Sequence, residues 1–134
     1  MTIQAQQLLE TFAVLKPDLH VDPIAVSPSL YPELDRDYAG FAGHVLVSKH
    51  EFTESWSTWE RHPAGDEIVM LLSGRATVVL RTGTKDDTVT LDVPGRYVIV
   101  PANTWHTAQT SEPIRMLFIT PGQGTENIAI EALN

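Results

Sequence analysis

The sequence has 134 residues, of which 43% are hydrophobic and 19% are charged. This length and composition are typical of one globular domain with a substantial core, and they exclude a disordered chain. The 17 acidic residues outnumber the 9 Lys and Arg residues and give a formal net charge of −8. Because that charge repels phosphate backbones and anionic lipid surfaces, we expect neither nucleic acid nor a membrane as a partner.

The absence of cysteine excludes disulfides, thiol catalysis, iron–sulfur clusters and zinc sites with thiolate ligands. No stretch of about 18 consecutive apolar residues is present, so the sequence predicts no membrane-spanning helix. Residues 1–17 carry no basic residue before Lys16 and no long apolar segment, which argues against a signal peptide. Together these features predict a soluble, cytoplasmic protein.

The first 38 residues predict a short helix followed by an extended arm. Apolar residues between Leu8 and Leu15 recur at helical spacing and predict a helix over residues 3–15. Pro17 cannot continue that helix, and the further prolines in residues 18–38 favour an extended arm with edge and turn positions.

From residue 39 onward the sequence alternates between short strand-like segments and turn residues. Segments such as 75–81 place apolar side chains at every second position, and Gly, Pro, Asn or Asp separate most neighbouring segments. Many short strands at this spacing predict an all-β sandwich or barrel. The predicted strands are residues 44–49, 52–61, 67–72, 75–81, 88–93, 97–100, 105–110 and 114–120.

Two of the predicted strands are apolar on both faces. Residues 68–72 read Ile-Val-Met-Leu-Leu, and residues 98–100 read Val-Ile-Val. A strand of an isolated sandwich needs only one apolar face, so a further layer should cover the outer face. The N-terminal segment alone is one candidate for that layer. We expect both the N-terminal segment and a second subunit to cover it, and we therefore predict a homodimer.

Four side chains in two strand–turn–strand units are candidate metal ligands. Glu60 and His62 are two positions apart in an extended segment, so their side chains share one face. Glu67 begins the strand after the first turn, and His106 begins the strand after the second turn. If the two hairpins face each other inside a barrel, these imidazoles and carboxylates converge in an apolar cavity and form a divalent-metal site.

The spacing of these residues resembles the two motifs of the cupin superfamily, the small jelly-roll barrels. In this chain the motifs read Glu60-x-His62-x4-Glu67-x6-Gly74 and Gly95-x5-Pro101-x-Asn103-x2-His106. The distance between the motifs is at the short end for the family, as in small bacterial members with one domain. The resemblance implies a double-stranded β-helix over residues 39–134, with residues 1–38 packed on it as part of the same domain.

The chain departs from the cupin pattern at three positions. Glu60 stands where the first His of the family usually stands. Asn103 replaces a turn glycine, which is a mild change because Asn also tolerates the left-handed conformation. The last Asn of the second motif is absent, and Gln109 or Thr110 lies in its neighbourhood. The resemblance therefore implies a site of two histidines and up to two carboxylates.

This ligand set favours particular metals and leaves several roles for the two glutamates. An oxygen-rich set favours one Mn²⁺ or Fe²⁺ ion, with Ni²⁺ or Zn²⁺ as further candidates. Glu60 is a fourth ligand, a group that orients a histidine, a general base beside the metal, or a neutral side chain in a cupin that has lost its metal. Glu67 is a ligand and a second candidate for proton transfer. Its alternative is a structural ion pair with Arg61 or Arg115.

The five histidines divide into two groups. His62 and His106 occupy motif positions, which favours metal ligation over the alternative of half-buried histidines with backbone partners. The remaining histidines lie outside both motifs, and we interpret them as surface or structural residues. They are His20, His44 and His50.

These observations predict a divalent-metal-binding cupin that acts on a small molecule inside the barrel. Dioxygenation, isomerisation and lyase reactions all occur in the family, and the fold does not choose among them. In such an enzyme Glu60 or Glu67 would move a proton. The alternatives are a non-enzymatic module that binds or senses a metal or small ligand, and a metal-free jelly roll. The chain shows no second domain to receive a signal, which favours an enzyme over a sensor.

Overall fold

The computed structural model describes residues 3–133, and it contains two antiparallel sheets. Residues 1, 2 and 134 lie outside the described residues. The first two belong to the predicted segment 1–38, and the last belongs to the predicted segment 39–134. The strands of the first half are β1 (Thr11–Leu15), β2 (Val21–Ala25), β3 (Val45–Phe52), β4 (Thr58–Arg61) and β5 (Glu67–Ser73). Those of the second half are β6 (Ala76–Thr82), β7 (Lys85–Leu91), β8 (Tyr97–Val100), β9 (His106–Gln109), β10 (Ile114–Thr120) and β11 (Glu126–Ala129).

The order of the strands within the sheets is that of a jelly roll. One sheet has the order β2-β1-β3-β10-β5-β8, and the other has the order β11-β4-β9-β6-β7. In both sheets, strands that are far apart in the sequence lie side by side, as β3, β10 and β5 do. Each motif contributes one strand to each sheet, β4 and β5 for the first motif and β8 and β9 for the second. The predicted double-stranded β-helix is therefore confirmed.

The core lies between the two sheets and follows the period of two along each strand. On β5 and β10 every second side chain points inward and is buried, while the intervening ones are more exposed. The buried residues of this core are Val69, Leu71, Ala76, Val78, Leu80, Leu91, Val100, Ile114, Met116 and Phe118. These side chains come from strands of both sheets and fill the space between them.

The predicted helix over residues 3–15 is wrong, because Thr11–Leu15 forms strand β1. Phe12 and Val14 are buried while their neighbours are half-buried, which is the alternation of a strand. Strand β1 hydrogen-bonds to both β2 and β3. The edge of β3 offers unpaired backbone groups to this segment, and pairing with them outweighs a weak helical pattern in a short segment.

The arm predicted over residues 18–38 contains β2 and also an α-helix, α1 (Leu30–Asp37). Pro32 does not prevent the helix because it lies in the first turn, where the backbone N–H has no intrahelical partner. Leu30 and Leu34, one turn apart, are buried against Phe12, Val14 and residues near them. No helix within residues 3–133 is long and apolar enough to cross a membrane.

The predicted strand over residues 52–61 is divided in the structure. Strand β3 ends at Phe52, residues 53–57 form a loop, and β4 begins at Thr58. All five residues of this loop line a cavity. Strand β7 begins at Lys85, before the start of the strand predicted over residues 88–93.

The N-terminal segment does not cover the outer face of β5 and β8. Strands β1 and β2 extend the opposite edge of the same sheet. Tyr97 and Ile99 on β8 consequently remain 55% and 54% exposed. The expectation that residues 1–38 cover this face is therefore wrong, although they do pack on the barrel elsewhere.

Candidate metal centre

The four predicted metal ligands converge at one place inside the barrel. Each of Glu60, His62, Glu67 and His106 offers a ligand atom, and these atoms lie within 4.8 Å of one another. The register of β4 and β9 pairs Glu60 with His106, while Glu67 reaches the cluster from β5 in the opposite sheet. The sequence therefore identified a real cluster, drawn from both sheets.

Backbone hydrogen bonds hold the two motif turns together. The amide of Asn103 donates to the carbonyl of His62 at 2.9 Å, and the amide of Ala102 donates to Oδ1 of Asp66 at 2.8 Å. The backbone of Asn103 has a φ of 61°, so the asparagine that replaces the usual turn glycine adopts the left-handed conformation. The departure from the family pattern at this position leaves the turn intact.

The contacts among the four side chains have the lengths expected of neighbouring ligands around one ion. Nε2 of His62 lies 2.8 Å from Oε1 of Glu60 and 3.1 Å from Oε2 of Glu67. Nε2 of His106 lies 3.0 Å from Oε1 of Glu67. Ligand atoms about 2.1 Å from a shared ion and at right angles to each other are about 3 Å apart. The distances between the ligand atoms are therefore those of neighbouring positions in the coordination sphere of one ion.

Both histidines present Nε2 to the cluster and use Nδ1 for support. Nδ1 of His106 lies 3.0 Å from the carbonyl oxygen of Thr104, which only accepts, so Nδ1 carries the proton. Nδ1 of His62 lies 2.8 Å from Oγ1 of Thr125. That hydroxyl already donates to the carbonyl of Gly122, so it accepts from His62. In the neutral form each histidine thus turns a lone pair toward the carboxylates, as a metal ligand does.

Three atoms of the cluster are buried without a hydrogen-bond partner: Nε2 of His62, Nε2 of His106 and Oε1 of Glu67. Their short contacts with one another lack hydrogen-bond geometry. Buried polar atoms without partners are costly, and native proteins retain few of them. A divalent cation among these atoms would satisfy all three, so the residues present fit a metal ion.

Glu67 is held in place by several groups. Its side chain is 1% exposed, and its Oε2 accepts a hydrogen bond of 2.6 Å from the hydroxyl of Thr120. The alternative of a structural ion pair with an arginine is excluded, because Arg61 pairs with Glu126 and Arg115 pairs with Glu51. The hydroxyl of Thr120 and the two histidines therefore hold the Glu67 carboxylate in one orientation, as is typical of a metal ligand.

The electrostatics of the cluster keep opposite charges in contact. Burial by itself would lower the pKa of His62, but the adjacent carboxylates of Glu60 and Glu67 outweigh burial and raise this pKa to about 9. Burial would likewise raise the pKa of Glu67, yet His106 and His62 lower it to about 2. In metal-free protein these shifts favour an imidazolium at His62 beside an ionised Glu67, and a bound metal would take the place of the Nε2 proton.

Glu60 differs from the other three residues in its exposure. Its side chain is 26% exposed, whereas the side chains of His62, Glu67 and His106 are at most 3% exposed. Glu60 therefore lies at the boundary between the cluster and the cavity, where it can contact both a metal and a bound molecule.

An open cavity of about 860 Å³ extends from the cluster to the mouth of the barrel. Helix α1, the loop of residues 53–57 and the segment 122–127 surround its mouth, and residues of β3 form part of its wall. This volume is within the range of small-molecule sites. Glu60, His62 and Glu67 line the cavity, so a bound molecule would reach the cluster directly.

Several residues of the site were not found from the sequence. Thr104, Thr120 and Thr125 support the cluster, but nothing in their local pattern distinguishes them from other threonines. His50 was interpreted as a surface or structural residue, yet it lines the cavity among Phe52 and Phe118. Its position could have been found, because it lies on the inward-facing parity of β3, at even spacing from the buried Leu46 and Ser48.

Fold and site together define a small jelly-roll barrel with a candidate metal centre of histidine and carboxylate side chains. The sequence model of the cupin domain matches residues 47–120, which is more than half of the chain. The protein therefore belongs to the cupin family. No curated protein sequence matches this chain.

Solved structures of larger cupins show the same fold. An oxalate oxidase is 18% identical, with a TM-score of 0.52 over 60% of this chain and 44% of that chain. The oxalate decarboxylase of Lactobacillus farciminis, in complex with formate, is 17% identical, with a TM-score of 0.53 over 66% of this chain and 27% of that chain. This chain thus spans less than half of these relatives, and the likeness concerns the fold alone.

Proposed function

We propose that this cupin is a metalloenzyme that transforms a small molecule at one divalent ion, held by Glu60, His62, Glu67 and His106. The observation that carries the proposal is the convergence of these side chains, with buried histidine Nε2 atoms that lack any hydrogen-bond partner. In their neutral forms the two histidines turn Nε2 lone pairs toward carboxylate oxygens, and a divalent cation would satisfy both kinds of acceptor. Two imidazoles and two carboxylates favour Mn²⁺ or Fe²⁺, followed by Ni²⁺ or Zn²⁺.

The exposed fraction of each side chain indicates its role at the site. His62, His106 and Glu67 are buried and braced by Thr125, Thr104 and Thr120 respectively, so they hold the ion. Bound there, a divalent ion supplies Lewis-acid chemistry, and a redox-active one adds chemistry with O₂.

Glu60 is the better of the two candidates for moving a proton. Its carboxylate borders the cavity, where it can accept a proton from a bound molecule and return it to another atom of that molecule. Both oxygens of Glu67 are already in close contact with other side chains of the cluster. Dioxygenation, isomerisation and lyase reactions are all compatible with these roles.

Elemental analysis by mass spectrometry tests this proposal on untagged protein purified without added metal or chelator. We expect about one equivalent of Mn, Fe, Ni or Zn per chain. His106→Ala should abolish metal binding, because it removes a buried ligand. His20→Ala is the matched control, since His20 is exposed and remote from the cluster. Protein that contains no metal and takes none up on titration would overturn the proposal and leave a ligand-binding barrel.

We also propose that the protein is a homodimer that uses the outer face of the first sheet. In the register of that sheet, Ile68 lies between Ile99 and Ile119, and Met70 lies between Tyr97 and Leu117. These side chains form a continuous apolar patch, which is typical of an interface. A cytoplasmic location and a lack of nucleic-acid or membrane partners remain predictions from composition.

A further inference from the structure

When a metal is bound and His62 is neutral, the charged side chains that line the cavity have one sign. Its wall contains five carboxylates and, within the part of the chain that the structure describes, no Lys or Arg. These carboxylates belong to Asp35, Glu51, Glu54, Glu60 and Glu67. An anionic substrate would therefore meet no basic side chain on its way to the cluster.

Ion pairs do not balance all of these charges. Glu51 pairs with Arg115 at 3.1 Å, and Glu60 and Glu67 would share a divalent ion with the two histidines. Asp35 and Glu54 form no ion pair within residues 3–133, and both are exposed at the mouth of the cavity. With the metal bound, the mouth therefore retains two carboxylates without a counter-charge.

An aromatic wall extends from the mouth to the cluster. The ring centroids of Phe52 and Trp56 are 5.5 Å apart, and those of Trp56 and Phe118 are 5.9 Å apart. The centroid of Trp56 is also 6.2 Å from that of His106. The faces of aromatic rings attract cations, and indole does so most strongly. A molecule packed against this wall would lie directly beside the candidate metal ligands.

Tyr31 adds a further aromatic side chain at the mouth. It lies in the first turn of α1, is 60% exposed and borders the cavity. Although the side chain as a whole is exposed, neighbouring atoms partly desolvate its phenol, and this desolvation, followed by the charges of Glu60 and Glu67, raises the pKa of Tyr31. Its phenol is therefore neutral and adds no negative charge, while its ring can contact a cation near the two unpaired carboxylates.

We propose that the cavity selects a small organic cation, an amine with an apolar body, over neutral and anionic molecules of the same shape. Asp35 and Glu54 would attract the ammonium group, and Phe52, Trp56 and Phe118 would pack against the apolar body. This inference rests on the proposed function, whose substrate class it names.

Three probes that share a phenylethyl body test the charge preference: 2-phenylethylammonium, 2-phenylethanol and 3-phenylpropanoate. Calorimetric titration into metal-loaded protein should give an affinity about tenfold higher for the ammonium than for the alcohol. The carboxylate should bind more weakly than the alcohol. Equal affinity for the ammonium and the alcohol, or tightest binding of the carboxylate, would overturn the inference.

Charge-removing variants locate the preference. The double variant Asp35→Asn, Glu54→Gln should lower the affinity for 2-phenylethylammonium about tenfold and leave that for 2-phenylethanol unchanged. The matched control is Asp92→Asn, Glu112→Gln, which removes the same charge from exposed residues outside this cavity. Equal losses of affinity for 2-phenylethylammonium in both double variants would show that only the net charge matters. That result would overturn the role of Asp35 and Glu54.

Metal content separates this inference from the proposed function. Asp35 and Glu54 are not candidate ligands, so their double variant should bind one equivalent of metal like the unchanged protein. If the protein binds no metal but still prefers the ammonium probe, the proposed enzyme is wrong and the charge selection stands. If metal binds normally and the ammonium probe has no advantage, the inference is wrong and the metal centre stands.

Discussion

At the scale of single residues, Glu60 decides the character of the site. A histidine at this position would be a neutral ligand, whereas the glutamate adds a negative charge 2.8 Å from Nε2 of His62. That charge stabilises a divalent cation and makes the site richer in oxygen. It also places a carboxylate where the cluster meets the cavity, and two experiments follow from these contacts.

Glu60→Ala should lower the affinity for the metal markedly, by about 10-fold to 100-fold, and leave the fold intact. The fold should survive because the Glu60 side chain is partly exposed and packs in no core cluster. Titration of metal into the purified variant measures the affinity, and circular dichroism checks the fold. An unchanged affinity would show that Glu60 is not a ligand.

The second experiment uses the pH dependence of stability in metal-free protein. The pKa of His62 is about 9 in the folded state, whereas the ordinary pKa of histidine is 6.5, so its contacts stabilise the fold fully below pH 6.5. This contribution, at most about 3 kcal/mol, is lost as the pH rises through 9. The free energy of unfolding, measured with denaturant, should therefore fall between pH 6.5 and 9.

Glu67 contributes at the acid end of the same profile. Its pKa of about 2 lies below the ordinary glutamate pKa of 4.5, so its contribution is present above pH 4.5 and is lost as the pH falls through 2. Excess metal should reverse the alkaline trend, because metal binding requires deprotonated histidine and becomes tighter as the pH rises. A flat profile between pH 6.5 and 9 without metal would contradict the charged contacts of His62.

At the scale of elements, a glycine fixes the turn that connects β5 to β6. Gly74 has a φ of 85°, and a Cβ at this position would lie 2.6 Å from the carbonyl oxygen of Pro113. Both the conformation and the close approach require glycine. The turn is important because strand β5, which precedes it, begins with Glu67.

Gly74→Ala should lower the free energy of unfolding by about 2–4 kcal/mol, since it combines left-handed strain with a steric clash. Gly83→Ala is the matched control, because Gly83 also has a positive φ, of 71°, but has open space around it. The control should cost about 1 kcal/mol. Denaturant unfolding of both variants measures the difference, and equal costs would show that the contact with Pro113 is not important.

The elements also show how far sequence patterns could be trusted. Strands β5, β6, β8 and β10 were predicted well, because each alternates or is apolar throughout and is bounded by turn residues. Strand β1 was mistaken for a helix, because its identity depends on hydrogen bonds to β2 and β3 and not on its own residues. Spacing found the four candidate ligands, but the threonines that orient them come from remote positions.

At the scale of the whole molecule, the unpaired apolar face of the first sheet is the most prominent surface feature. It joins side chains from β5, β8 and β10, and it includes the half-exposed Tyr97 and Ile99. An apolar patch of this kind at the edge of a sheet is exposed to aggregation unless another chain covers it. A second copy of the protein is the partner we propose.

Ile99→Lys should convert a dimer to a monomer, because a lysine within an apolar interface is costly to bury. Light scattering coupled to size-exclusion chromatography measures the mass. Val21→Lys is the control, since Val21 is also exposed, at 57%, but lies on the opposite edge strand β2. A wild-type protein that is monomeric at all concentrations would contradict the proposed dimer.

The sequence by itself determined the all-β class, most of the strands and the four residues of the candidate metal centre. It did so because the period of two in a strand is a local property, and because residues two apart in a strand share a face. Tertiary structure alone decided that residues 11–15 form strand β1 and which threonines contact the cluster. It alone also decided that five carboxylates and no Lys or Arg of the described residues line the cavity. These depend on contacts between residues far apart in sequence, such as Glu67 and Thr120, which local patterns do not encode.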